Sequence, residues 1–95
     1  MATALQVFKA TDLTTSYTSS VLSFQTRGNR TGMFQANVPA GDTAVLQARV
    51  GSSFDWIDII TVSDAPALQE VVLAPEFRLV VTNTSGLEVL AAIHV

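Results

Sequence analysis

The chain has 95 residues, of which 48% are hydrophobic and 14% charged, and a formal net charge of −3. That length makes one domain, residues 1–95, with enough apolar material for a real core. The five basic residues are spread along the chain and there is no cysteine, which excludes a nucleic-acid footprint, disulfides and thiolate metal sites. No window reaches the ~18 apolar residues that span a bilayer. The opening Met-Ala-Thr-Ala-Leu-Gln lacks the basic start and long apolar run of a secretory signal, so synthesis in a cytoplasm is expected. Charge stands well below the usual proportion of about a quarter. The shortage points to surface covered by a partner, copies of the same chain included. A monomer solubilised by its many Thr, Ser, Asn and Gln is the alternative.

In chain order, residues 4–9 read as a short strand with Leu5 and Val7 on one face. Residues 10–20 are rich in Thr and Ser, which satisfy their own backbone in turns. They read as an extended arm or a pinned loop, with Tyr17 as its anchor. Residues 21–26 form a second strand, with Leu22 and Phe24 on one face. Arg27-Gly28-Asn29-Arg30 reads as a hairpin turn. It leads into a strand over 31–38 with Phe34, Ala36 and Val38 inward. Pro39-Ala40-Gly41-Asp42 turns the chain again. Over 43–50, Ala44, Leu46, Ala48 and Val50 alternate cleanly with Thr43, Val45, Gln47 and Arg49.

After a link at 51–54, residues 55–62 are apolar on both faces in part, which suits a central strand. Trp56, the only tryptophan, is expected to cap one end of the core, its N–H finding an acceptor at the rim. Residues 63–66 read as a loop, with room for one helical turn over 65–69. A strand over 68–74 and a corner at Ala74-Pro75 follow. Residues 75–95 read as a closing hairpin, its runs facing inward at Phe77, Leu79 and Val81 and at Leu87, Val89, Ala91, Ile93 and Val95. Asn83-Thr84-Ser85-Gly86 supplies the turn. The sum is seven to eight short strands at roughly ten-residue spacing, the pattern of a single all-β, antiparallel β-sandwich or jelly-roll-like domain.

Chemistry-bearing clusters are scarce. Asp55 and Asp58 are three apart, so a regular strand puts them on opposite faces, where they cannot serve one substrate as acid and base. His94, the only histidine, reads as an outward residue of a terminal strand. The glycines stand singly at turns and make no phosphate loop. Asn29-Arg30-Thr31 and Asn83-Thr84-Ser85 fit the glycosylation tripeptide but read as turn composition. No catalytic, cofactor-binding or metal-ligating residue is assigned. Surface contact is left: Tyr17 on the arm, and Arg27, Asn29 and Arg30 at the hairpin tip, where the arginines can form charge-assisted bonds to a partner. Outward apolar Val45, Val80, Leu90 and Ala92 are candidates for a self-interface. Arg49 and Arg78 read as outward, with Arg78 paired to Glu76 or Glu88.

Asp55-Trp56-Ile57-Asp58-Ile59, followed by Val71-Val72-Leu73-Ala74-Pro75-Glu76-Phe77-Arg78-Leu79-Val80-Val81-Thr82-Asn83-Thr84-Ser85-Gly86, resembles small β-sandwich virion proteins of tailed bacteriophages. The shared pattern is a tryptophan-bearing strand, an apolar strand ending before a proline, and an arginine-bearing strand leading to a Ser-Gly turn. It covers about the C-terminal half of the chain. The resemblance implies a capsid decoration (cement) protein on the virion exterior, clamping major capsid protein subunits as a homotrimer; composition and motifs add the expectation of no cofactor, nucleic acid or membrane. It equally implies a neck, tail or fibre component. A carbohydrate-binding sandwich with Trp56 as platform is the other reading.

Overall fold

The computed structural model describes residues 5–7, 16–23, 31–64 and 66–94. They form nine strand segments and no helix. These are β1 (Leu5–Val7), β2 (Tyr17–Thr18), β3 (Leu22–Ser23), β4 (Thr31–Asn37), β5 (Thr43–Arg49), β6 (Ile57–Ser63), β7 (Pro66–Val72), β8 (Glu76–Thr82) and β9 (Leu90–His94). One sheet has the order β1-β9-β4-β7; the other has β2-β8-β5-β6, with β3 also on β8. Every pairing is antiparallel. Because β2 pairs at Val81 and Val80 and β3 at Phe77 and Glu76, the two are successive pieces of one broken edge strand. Eight strand positions in two sheets make a jelly roll.

Period-two alternation builds the core. On β4, Phe34 and Ala36 point inward; on β5, Ala44, Leu46 and Ala48; on β8, Phe77, Leu79 and Val81; on β9, Ala91 and Ile93, and all are buried. Each fully buried Phe, Leu or Ile stabilises the fold by about 1.5–3 kcal/mol relative to exposure. Tyr17 and Leu22 pack against this cluster from the broken edge strand.

Several expectations are corrected. Residues 75–95 are not a hairpin: β8 lies in one sheet beside β5, and β9 in the other beside β4. A hairpin would set both apolar faces side by side on one layer, still uncovered. The crossing connection folds one face onto the other. Likewise β3 and β4 belong to different sheets and do not pair as a hairpin; Arg27, Asn29 and Arg30 lie outside the described residues. Of residues 10–20, those at 10–15 lie outside the described residues, and 16–20 take the pinned alternative to an arm. Beyond β2, Ser19 N–H donates to the Leu79 carbonyl and Leu79 N–H to Ser19 Oγ, both at 2.8 Å. β7 begins at Pro66, so 65–69 holds no helical turn. Val50 and Leu87 are exposed, because each falls just outside its strand. β6 is an edge strand, not a central one.

Candidate interaction surface

Three constructions organise the bonded polar side chains and part of the exposed apolar surface, and each begins from a turn or a register. The first closes one end of the sandwich. Asp42 N–H donates to the Pro39 carbonyl at 3.1 Å, and Gly41 adopts φ +87°, a conformation that glycine reaches without steric cost. This turn delivers Asp42, 1% exposed, beneath the connection from β8 to β9. Its Oδ1 accepts the N–H groups of Thr84 (2.7 Å) and Ser85 (3.0 Å), and Oδ2 accepts the Ser85 hydroxyl (2.6 Å). The Ser85 hydroxyl is the main cause holding the Asp42 carboxyl below its ordinary value; burial opposes it, and the two amides add to it. Asn83, also buried, receives Gly86 N–H at 3.0 Å and donates to the Leu87 carbonyl at 2.9 Å. The Asn83-Thr84-Ser85 tripeptide is therefore structural, its amide occupied in the turn.

The second lies on the outer face of the β2-β8-β5-β6 sheet. Register places Gln47 opposite Arg78 on one side and Asp58 on the other, and Arg49 opposite Glu76. Arg78 Nε donates to Gln47 Oε1 at 2.6 Å, and Gln47 Nε2 donates to Asp58 Oδ1 at 2.8 Å. Arg49 Nε pairs with Glu76 Oε1 at 2.6 Å. Trp56 comes off the β5–β6 connection and lies across both guanidiniums, at 4.2 Å from Arg49 and 4.6 Å from Arg78. Each such stack is worth about 0.5–1 kcal/mol at an exposed site, more when water is excluded. Trp56 thus caps a polar ladder on the sheet's outer face, not the end of the core. Glu76 takes Arg49 as its partner in place of Arg78, because the β5–β8 register sets those two directly opposite.

The third is a cleft of about 530 Å³ where the β5–β6 connection meets the corner before β8. Ala48, Val50, Phe54, Ile57, Ile59 and Ala74 supply its apolar lining, with Arg49 and Asp55 also present. Val50, Phe54 and Ile57 are 60–64% exposed. A bulge contributes: Leu46 pairs with Ile60 and Gln47 with Asp58, so Ile59 is the extra residue on β6. It keeps Ile60 inward and Asp58 outward, as the core and the ladder each require.

The residues chosen from sequence as contacts do not gather. Tyr17 is half-buried against the core. Val45 and Val80 are directly opposed on the outer face of one sheet, whereas Leu90 and Ala92 lie on the outer face of the other. The two pairs therefore do not make one continuous patch. Asp42, Phe54 and the Trp56 stack were not visible as sites. Turn composition marked Gly41-Asp42, but the partner loop lies more than forty positions on; the stack depends on cross-strand register. No group of three or more His, Asp or Glu among the described residues could hold a metal. Set against protein-family models, curated proteins and solved structures, the chain matches none of them.

Proposed function

We propose that this chain is a structural protein of a tailed-bacteriophage virion, a decoration (cement) protein that sits on the capsid exterior and bridges neighbouring major capsid subunits as a homotrimer. The observation that carries the reading is the exposed apolar cleft at the β5–β6 end of a jelly roll. An apolar surface of that kind on a small soluble domain marks an interaction site. The polar groups described above are engaged in holding the fold: Asp42 and Asn83 in the arch, Gln47, Arg49, Asp58, Glu76 and Arg78 in the ladder. The action is then adhesive, with no reactive centre and no cofactor. A capsid under internal pressure fails where subunits part. A clip across the joint adds buried area there and raises the barrier to separation. Three linked copies bind far more strongly than one through effective concentration.

The test is co-sedimentation with empty heads, with light scattering on the purified chain. Decoration predicts a trimer that sediments with heads and raises their disruption temperature, both effects lost in Phe54→Ser with the fold intact. Sedimentation with tails alone would move the protein to the neck, tail or fibre. One observation favours a carbohydrate-binding sandwich as the second reading: the Trp56 ring is held in place by two arginines, and an aromatic platform of that kind suits sugar stacking. Binding on a glycan array that Trp56→Ala abolishes would establish it in place of decoration.

A further inference from the structure

We propose that the flank formed by β6 and β7 is a strand-docking site, and that its occupant is an extended partner segment whose side chains alternate between apolar and basic. The proposal rests on the adhesive reading above and names the partner chemistry for the same end of the molecule. β6 is last in one sheet and β7 last in the other, and residues 64 and 65 join them directly. Both sheet edges therefore lie on one flank, with no strand beyond either among the described residues. An edge strand presents backbone donors and acceptors that an incoming extended chain can pair with. Soluble domains usually guard such edges, often with lysine. β7 carries guards in Pro66 at its start and Glu70 just past its middle; β6 carries Asp58, bonded across to Gln47, and the bulge at Ile59, yet it still opens at Ile57 and Ile59 onto the apolar cleft. The bulge at Ile59 re-aims this edge without charging it.

Charge selects the occupant. Asp55, Asp64 and Glu70 are exposed on or beside these two strands, whereas Asp58, also exposed, is bonded to Gln47. Arg49, the cation among the described residues that lines the cleft, is committed to Glu76 and Trp56. A second copy docked edge to edge would bring these carboxylates against their equivalents, which electrostatic complementarity disfavours. A strand with Lys or Arg on one face and apolar residues on the other meets the acidic rim with charge and the cleft with hydrocarbon. The backbone edge supplies affinity and the two side-chain rows supply selection.

The experiment uses the full chain and two short synthetic peptides, one alternating Val and Lys, the other alternating Val and Glu. Binding is read by NMR shifts and by amide exchange over Ile57–Ser63. The Val-Lys peptide should slow exchange along β6 and shift Phe54 and Ile59, and bind about tenfold more tightly than the Val-Glu peptide. Its affinity should fall with added salt. Ile59→Lys should weaken it about tenfold while leaving the fold unchanged, and the double substitution Asp55→Lys with Glu70→Lys should reverse the peptide preference. Equal binding of both peptides, shifts confined to another face, or β6 amides that become protected with protein concentration alone would overturn the proposal. Heads decorated normally by a chain that binds neither peptide would end this inference and leave decoration standing. Peptide binding without uptake on heads would do the reverse.

Discussion

The connections 83–89 and 50–56 are each seven residues long, and they close opposite ends of the same pair of strands. In 83–89 nearly every polar group has a named partner: Asn83, Thr84 and Ser85 are bonded within the turn or to Asp42, and Val89 is buried. In 50–56 the backbone makes one turn bond, Phe54 N–H to the Gly51 carbonyl at 3.0 Å, and Val50 and Phe54 face outward. The first connection bonds most of its own polar groups and leaves Leu87 as its one large apolar side chain in water. The second leaves both Val50 and Phe54 exposed, beside Ile57 and Ile59 in the cleft, a cost that folding alone does not explain. On the proposed reading, stability is concentrated at one end and adhesion at the other.

That contrast can be calibrated and then broken. Phe77→Ala removes a fully buried core side chain and should cost the most, about 3–5 kcal/mol in urea denaturation. Asn83→Ala should come next, at about 1–3 kcal/mol, because it removes the two part-buried hydrogen bonds that the buried Asn83 side chain makes with the Gly86 N–H and the Leu87 carbonyl. The same end should carry a signature in acid. The Asp42 carboxyl titrates lower in the fold than its ordinary 3.8, so its stabilisation is complete above that value and is lost as pH falls below it through the lowered one. Asp42→Asn should flatten that part of the thermal-stability profile against pH and leave the neutral region with a smaller, pH-independent deficit. Trp56→Ala should cost about 1–2 kcal/mol through its two cation–π contacts. Smallest of all, Phe54→Ser should change stability by no more than about 0.5 kcal/mol while abolishing partner uptake. Should Phe54→Ser prove as destabilising as Asn83→Ala, the division between a stabilising end and an adhesive end would be wrong.

Strand parity was legible because it is local. Phe34 and Ala36, Ala44 to Ala48, and Phe77 to Val81 alternate with polar neighbours, and the buried faces follow from that alone. What could not be read is which strand each one meets. Asn83-Thr84-Ser85-Gly86 has the composition of a tight hairpin turn, but the same residues serve an arch when a carboxylate from another loop supplies the acceptors. β6 misled for a related reason. Apolar residues on both faces describe a strand buried in mid-sheet and equally one at an edge with an uncovered cleft beside it. Arg78 lies far along the chain from Arg49 and Trp56 and joins them only through the β5–β8 register. Asp42 showed in the sequence as turn composition, and its role depends on a loop four strands later.

The strand pairings also govern when this molecule can come into being. β5 with β6 is the one partnership between neighbours in sequence among the described strands. β1 must wait for β9, so Leu5–Val7 has no sheet to join until Leu90–His94 has emerged from the ribosome. Most native contacts therefore close long loops, which places folding in the slow regime of milliseconds to seconds. The β5–β6 hairpin, with its hydrocarbon outermost, is the first piece able to form during synthesis. A nascent chain shows the world this exposed hydrocarbon before it has an interior, and a chaperone would meet that hairpin earlier than any eventual partner does.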